Sequence, residues 1–211
     1  MQLGLLTMLL IPAWTLAYSE AWLYWALTSL ASLATTLYFL KRDPALMRRR
    51  LEVGSRAEAL PSQKLIQGIG GAFACAIYIV AALDHRFGDA GVPTPVVFAA
   101  DAVVLVAAAT TFRVFRENTF TASTVTVEAG QRVVATGPYA IVRHPMYTAA
   151  MLGYLAAPPA LGSIWALVPA VLLCATIVVR LLDEERHLAA RLPGYAGYRE
   201  AVRYRLIPRI W

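Results

Sequence analysis

Long stretches without a single Asp, Glu, Lys or Arg constrain this chain more than any motif in it. They cover residues 1–19, 21–40, 65–83 and 145–179, and another spans 90–112 with only Asp101 inside it. Runs of about 20 apolar residues match the ~30 Å hydrocarbon core of a bilayer, where a chain must satisfy its own backbone hydrogen bonds. Of the 211 residues, 59% are hydrophobic and 15% charged, whereas soluble domains are about 25% charged. With a mean hydropathy of +0.57, a solvated globular fold, a disordered tail and a secreted disulfide scaffold are excluded. The expected fold is all-α and polytopic, with five to six membrane segments.

Helices are expected at about 1–19, 21–40, 65–83 and 90–112, Glu20 leaving only a tight turn between the first two. The first has neither a basic segment before it nor a small-x-small cleavage site after it, so it reads as a membrane helix and not as a leader. As one helix the run 145–179 would extend about 50 Å. Pro158-Pro159 and Gly162-Ser163 near its middle instead fold it into a hairpin over 145–180.

The net charge of +6 would suggest a nucleic-acid partner in a soluble protein, but its location here points elsewhere. Counting helices alternately places 41–64, 113–144 and 180–211 on one side, and of the 19 Lys and Arg only Arg86 lies off it. Excess Lys and Arg mark the cytoplasmic side, so both termini are expected there and no nucleic acid is implied. Arg48-Arg49-Arg50 suits anionic headgroups. Cys75 and Cys174 sit in apolar runs without companion ligands and read as small packing residues, with no metal implied. Gly68-Ile69-Gly70-Gly71 lacks the strand and acidic residue of a dinucleotide loop and reads as close helix packing. Asp101 is a lone intramembrane carboxylate and is given no catalytic role. His85, placed in the outer loop, has no second ligand nearby.

The chain divides at residue 112 into a membrane-helix half, 1–112, and a half carrying the unusual residues, 113–211. Thr124-Val125-Thr126-Val127-Glu128 alternates and is β-branched, which suggests extended chain, and Gly130 and Gly137-Pro138 mark turns. In Arg143-His144-Pro145, the proline pushes His144 out of the helical region and itself suits a first helical turn. That places Arg143 and His144 at a helix mouth with free amide groups. Arg180 and Glu184, four apart, share a helix face, with His187 one turn on. Since hairpin arms are neighbours, the two charged clusters are expected to converge in one pocket at the cytoplasmic surface. The tail from Gly194-Tyr195 to Pro208 is basic and aromatic, as for a segment over that pocket or on the lipid surface.

Gly137-Pro138-Tyr139, Arg143-His144-Pro145-x-Tyr147, Arg180-x-x-x-Glu184-Glu185 and Tyr198 to Pro208 together resemble the isoprenylcysteine carboxyl methyltransferases and related membrane methyltransferases that use S-adenosylmethionine. The likeness covers roughly the last 95 residues; the amino-terminal half matches only in being transmembrane. It implies cofactor contacts from Gln131, Arg132, Val133, Val134, Tyr139, His144, Pro145, Met146, Tyr147 and Glu184. It also implies catalytic roles for Arg180, Glu184 and Arg143, with Arg180 holding a substrate carboxylate. Ala149 stands where the family usually has glycine.

The residue types suit that chemistry. Tyr139 or Tyr147 can stabilise a sulfonium by cation–π contact, worth about 0.5–2 kcal/mol. Methyl transfer is an in-line displacement in which alignment does most of the catalysis, and it calls for no metal. A carboxylate acceptor is ionised at pH 7 and needs an arginine to position it. An amine or thiol acceptor needs deprotonation, with Glu184 or His144 the candidates. The implied partners are a lipophilic or prenylated substrate and membrane lipid. A reductase resembling the sterol reductases, using a nicotinamide dinucleotide, is the other enzyme class the tail suggests, and a non-catalytic membrane protein with the same fold is the third reading.

Overall fold

The computed structural model of the chain describes residues 2–51, 58, 60–88, 91–119 and 133–211. These form α1 (Gln2–Ala13), α2 (Ser19–Arg42), α3 (Pro44–Leu51), α4 (Pro61–Phe87), α5 (Thr94–Glu117), a 3-10 turn (Gly137–Ala140), α6 (Pro145–Ala160), α7 (Leu167–Arg191) and α8 (Tyr195–Ala201). All regular structure among the described residues is helical, as expected. The extended segment expected at 124–128 lies outside them.

Three of these helices, α2, α4 and α5, are long and apolar enough to cross a membrane. With 24, 27 and 24 residues, they extend about 36–40 Å at 1.5 Å per residue. The first charge-free run does not make a full-length helix. α1 has only 12 residues, because Trp14 adopts a left-handed φ of 56° and the chain breaks over 14–18. The turn expected at Glu20 therefore lies before it, and Glu20 sits in the first turn of α2.

The run 145–179 does fold back: α6 ends at Ala160, α7 starts at Leu167, and Gly162 turns the chain with a φ of 71°. Ser163 stabilises this turn by donating to Asp84 Oδ2 at 2.6 Å and accepting the Ala166 amide at 3.2 Å. Pro145 opens α6 at its first turn, where a missing N–H costs nothing.

The main core is built largely from small residues: Ala81 and Ala82 of α4, Ala100 of α5, Ala156, Ala157 and Ala160 of α6, and Ala170 of α7, with Leu9, Tyr24, Ile77 and Leu173. Large apolar side chains such as Leu30, Leu33, Leu105, Val168 and Val171 point outward. Small residues inside and large ones outside suit a lipid-facing bundle, where close backbone approach and not water exclusion holds helices together. Within the glycine cluster, a Cβ at Gly70 would touch Leu173 and Thr176 of α7 at 3.6 Å, while Gly68 and Gly71 face open space. Cys174 is buried and Cys75 half-buried, both as free thiols.

At the far end of the bundle, Tyr18 donates to the Leu161 carbonyl at 2.6 Å and stacks on His85 at 3.9 Å. His85 belongs to the last turn of α4 and not to a loop. At the near end, Phe39, Leu46, Val114 and Phe115 form a second core with Tyr139 and Met146 against it. The ends of α2 and α5, the start of α6 and Leu46 and Met47 of α3 thus meet at one level.

Candidate active site

The starts of α4 and α6 and the last turns of α7 carry the polar groups of this near end. Arg143 and His144 precede α6, and Tyr147 lies in its first turn. On α7, Arg180, Glu184 and Glu185 fall on neighbouring positions of the face that meets α6. The expected convergence is present, but it divides into two linked clusters.

In the first cluster the hydroxyl of Tyr147 donates to Glu184 Oε2 at 2.5 Å and accepts from Arg180 Nε at 2.9 Å. Arg180 and Glu184, expected as neighbours on one face, are thus joined through a tyrosine on the other arm of the hairpin. Arg180 also pairs with Glu58, Nη2 to Oε1 at 2.7 Å, and donates from Nη1 to Gln67 Oε1. Its side chain is about one-tenth exposed and that of Glu58 is wholly buried. Gln63 donates to Asp183 Oδ2 at 2.7 Å and Ser62 donates to it at 2.8 Å, tying the first turn of α4 to α7.

In the second cluster Glu185 is the hub. Its Oε1 accepts from Arg143 Nε at 2.7 Å and lies 3.2 Å from His144 Nε2, while its Oε2 accepts from Arg205 Nε at 2.9 Å. Burial pushes the Glu185 carboxyl upward, but hydrogen bonds from His144, Arg205 and Arg143 outweigh it and hold the pKa down at about 2. Arg143 Nη1 also donates to the carbonyls of Val202 and Arg203, both at 2.9 Å. The amides of Arg143 and His144 donate to the carbonyls of Tyr204 and Arg205 at 2.8 and 3.0 Å, and Thr148 donates to Leu206 at 2.9 Å. This cluster therefore holds the tail on the mouth of α6. His144 links it to the first, its ring 5.8 Å from that of Tyr147.

The other expected site residues lie around these two clusters. Tyr139 accepts from Asn118 Nδ2 at its hydroxyl, 3.2 Å away, and takes the Tyr198 hydroxyl on its carbonyl at 2.8 Å. Met146 packs with Phe39 and Phe115. Val133 rests against Leu192, Tyr195 and Tyr198. Val134 is half-buried, Pro145 is buried as the first residue of α6, and Ala149 is buried one turn on. Gln131 and Arg132 lie outside the described residues. Near Val133, the Tyr195 hydroxyl is buried and has no hydrogen-bond partner among the described residues. Burial first, then the charges of Glu185 and Glu184, push its pKa up, so it remains a donor.

Glu58, Gln63, Gln67, Arg205 and the hub role of Glu185 were not foreseen. Gln63 and Gln67 left a usable signal, two amides four apart where α4 begins its apolar run, which places them on one face. Glu58 left none, because it stands in a charged segment like any surface carboxylate.

Chemically, the first cluster offers a guanidinium already holding one carboxylate, a half-exposed acid at Glu184 and aromatic rings at the mouth of a helix. Residues 95–192 match the family model of the phospholipid methyltransferases. That segment runs from the first turn of α5 to the residue after α7, so it contains Arg143, His144, Tyr147, Arg180, Glu184 and Glu185. No curated protein matches the chain.

Proposed function

We propose, from the premise that residues 95–192 belong to the phospholipid methyltransferase family, that this protein is an integral membrane methyltransferase using S-adenosylmethionine to methylate a lipophilic carboxylate. The observation that carries the acceptor class is the Arg180–Glu58 pair at 2.7 Å. It is a guanidinium presenting donors to a carboxylate at the level of Tyr147 and Glu184. A substrate carboxylate exchanging with Glu58 would receive the same positioning and would need no base, since it is ionised at pH 7.

The residues present fit the cofactor. Glu184 can accept from hydroxyl or ammonium groups, and Tyr139 and Tyr147 offer π faces to a cation. Tyr195 holds a buried hydroxyl with no hydrogen-bond partner among the described residues, and buried polar groups normally have one. Val133, Val134, His144, Pro145 and Met146 would complete the binding surface, with Gln131 and Arg132 beyond the described residues. When bound, S-adenosylmethionine supplies an electrophilic methyl group on a sulfonium. The chain's own contribution is alignment: Tyr147 couples the acid that would face the cofactor to the arginine that would face the acceptor. Arg143 contributes by holding the tail through Glu185 and two carbonyls. By sequence segment all Lys and Arg but Arg86 fall in the stretches that border this end of the bundle, which supports placing this site and the carboxy-terminal tail at the cytoplasmic face. The expectation for the amino terminus is not supported, since the Gln2 carbonyl accepts from Trp25 Nε1 at 3.1 Å, in the far half of α2.

A lipid amine is the second reading, and the burial of Glu58 favours it. If Arg180 never releases Glu58, no cation is left for a carboxylate, and the acids of the site would attract an amine. Glu184 or His144 would then take the proton.

Calorimetry on detergent-solubilised protein tests the class: S-adenosylhomocysteine should bind and NADPH should not. The opposite result would replace this reading with a reductase. Methyl-labelled cofactor tests the acceptor. Label released from the lipid extract as a volatile product by base marks an ester, and base-stable label marks an amine.

A further inference from the structure

We propose that the cleft between α8 and the chain following it binds a phosphate group, supplied by the headgroup of an anionic phospholipid or by free phosphate. The proposal does not depend on the methyl-transfer reading, although Arg143, which lines the cleft, also holds the tail beside that site. The cleft has a volume of about 460 Å³ and is lined by Arg143, Ala196, Arg199, Glu200, Arg203 and Arg205. Two of its guanidinium groups are already answered, since Arg143 and Arg205 share Glu185 at 2.7 and 2.9 Å. Arg199 and Arg203 are exposed, and neither has an ion-pair partner among the described residues. Among the described residues, Glu200 is the sole carboxylate lining the cleft. Four guanidinium groups thus face two carboxylates, an excess that a phosphate diester or monoester would balance. Planar guanidinium forks match phosphate oxygens.

The surroundings suit a lipid source. After Arg205 the chain closes a turn in which the amides of Leu206 and Ile207 donate to the Trp211 carbonyl at 2.9 and 3.1 Å. That turn exposes Ile207 and Ile210, with Trp211 beneath the Arg205 guanidinium at 5.1 Å. An apolar turn with a tryptophan beside a basic cleft is how a segment seats in the headgroup layer.

The test uses the full chain in detergent, with short-chain phosphatidylglycerol, short-chain phosphatidylcholine and inorganic phosphate as separate probes, read by native mass spectrometry and calorimetry. Wild type should retain phosphatidylglycerol at least about tenfold better than phosphatidylcholine. Arg199→Gln with Arg203→Gln should abolish that preference while S-adenosylhomocysteine binding is unchanged. Glu200→Gln, which removes only the opposing carboxylate, should tighten binding two- to threefold, on the order expected for one charge near a surface. Competition by inorganic phosphate would assign the site to free phosphate; preference without such competition would assign it to the lipid. Lys41→Gln with Arg42→Gln removes equal charge elsewhere at the same end and should change nothing. The proposal fails if neither probe binds, if the double arginine variant binds like wild type, or if the lysine–arginine control loses binding equally.

Discussion

Arg143 and Glu185 meet at 2.7 Å with both side chains about one-twentieth exposed, and this contact fastens the carboxy-terminal tail to the mouth of α6. Removing one partner of such a pair leaves an uncompensated buried charge, which typically costs about 3–5 kcal/mol. Glu185→Ala leaves both Arg143 and Arg205 unanswered. We expect it to lower the melting temperature in detergent by roughly 6–20 °C, using about 2–4 °C per kcal/mol for a chain of this size. A shift under 2 °C would show that the pair does not hold the tail.

Acid should release the same contact. The Glu185 pKa of about 2 lies below its ordinary value of 4.5. Its stabilisation is therefore complete above about pH 4.5 and disappears as the pH falls toward 2. Protection of the amides of 143 and 144, which donate to the tail carbonyls, should fall over that window when hydrogen exchange is referred to the intrinsic rate at each pH. In Glu185→Gln exchange should be fast already at pH 6 and respond less to acid. Matching pH profiles for the two proteins would remove Glu185 as the titrating group.

Tyr147→Phe keeps the ring and removes only the hydroxyl that joins Arg180 to Glu184. The buried donor on Arg180 then loses one acceptor, at about 1–3 kcal/mol. We expect the protein to fold, with methyl transfer down at least about tenfold and S-adenosylhomocysteine affinity changed less than turnover. Wild-type turnover in this variant would show that the bridge plays no part in alignment.

Arg180→Ala and Glu184→Ala should separate the two halves of the site. Both should lose methyl transfer, and calorimetry should show weakened cofactor binding mainly for Glu184→Ala. Unchanged turnover in either would reject the proposed assignment.

Asp101 supplies a prediction of opposite sign. It is buried in α5 with neither carboxylate oxygen hydrogen-bonded among the described residues, and burying such a group costs free energy. Asp101→Asn should raise the melting temperature by a few degrees and leave methyl transfer within about twofold. Loss of turnover would instead give this carboxylate a functional role.

What could be read in advance was local. Charge-free runs located α2, α4 and α5 to within a few residues. Pro158-Pro159 with Gly162-Ser163 placed the hairpin, because prolines and a left-handed glycine act on their own backbone. Pro145 located the start of α6 for the same reason. The first span was overestimated: an uncharged run reports solubility in lipid, not continuity of helix, and the backbone reverses at Trp14. At the site, Tyr147, Arg180 and Glu184 stood out by spacing. The tail clamp did not, since Glu185 reaches residues 20 and 42 positions away.

The sequence alone therefore determined the membrane class, the helical architecture and the end of the bundle at which polar chemistry gathers, because hydropathy, turn chemistry and i,i+4 spacing are short-range properties. Only the tertiary structure decided which charges answer one another. Arg180 turns to Glu58 and Gln67 across the bundle, Tyr147 links it to Glu184, and Glu185 takes Arg143 and Arg205. Burial makes each pairing compulsory, since an unanswered charge there is too costly to persist, and no spacing along the chain encodes which distant partner satisfies it.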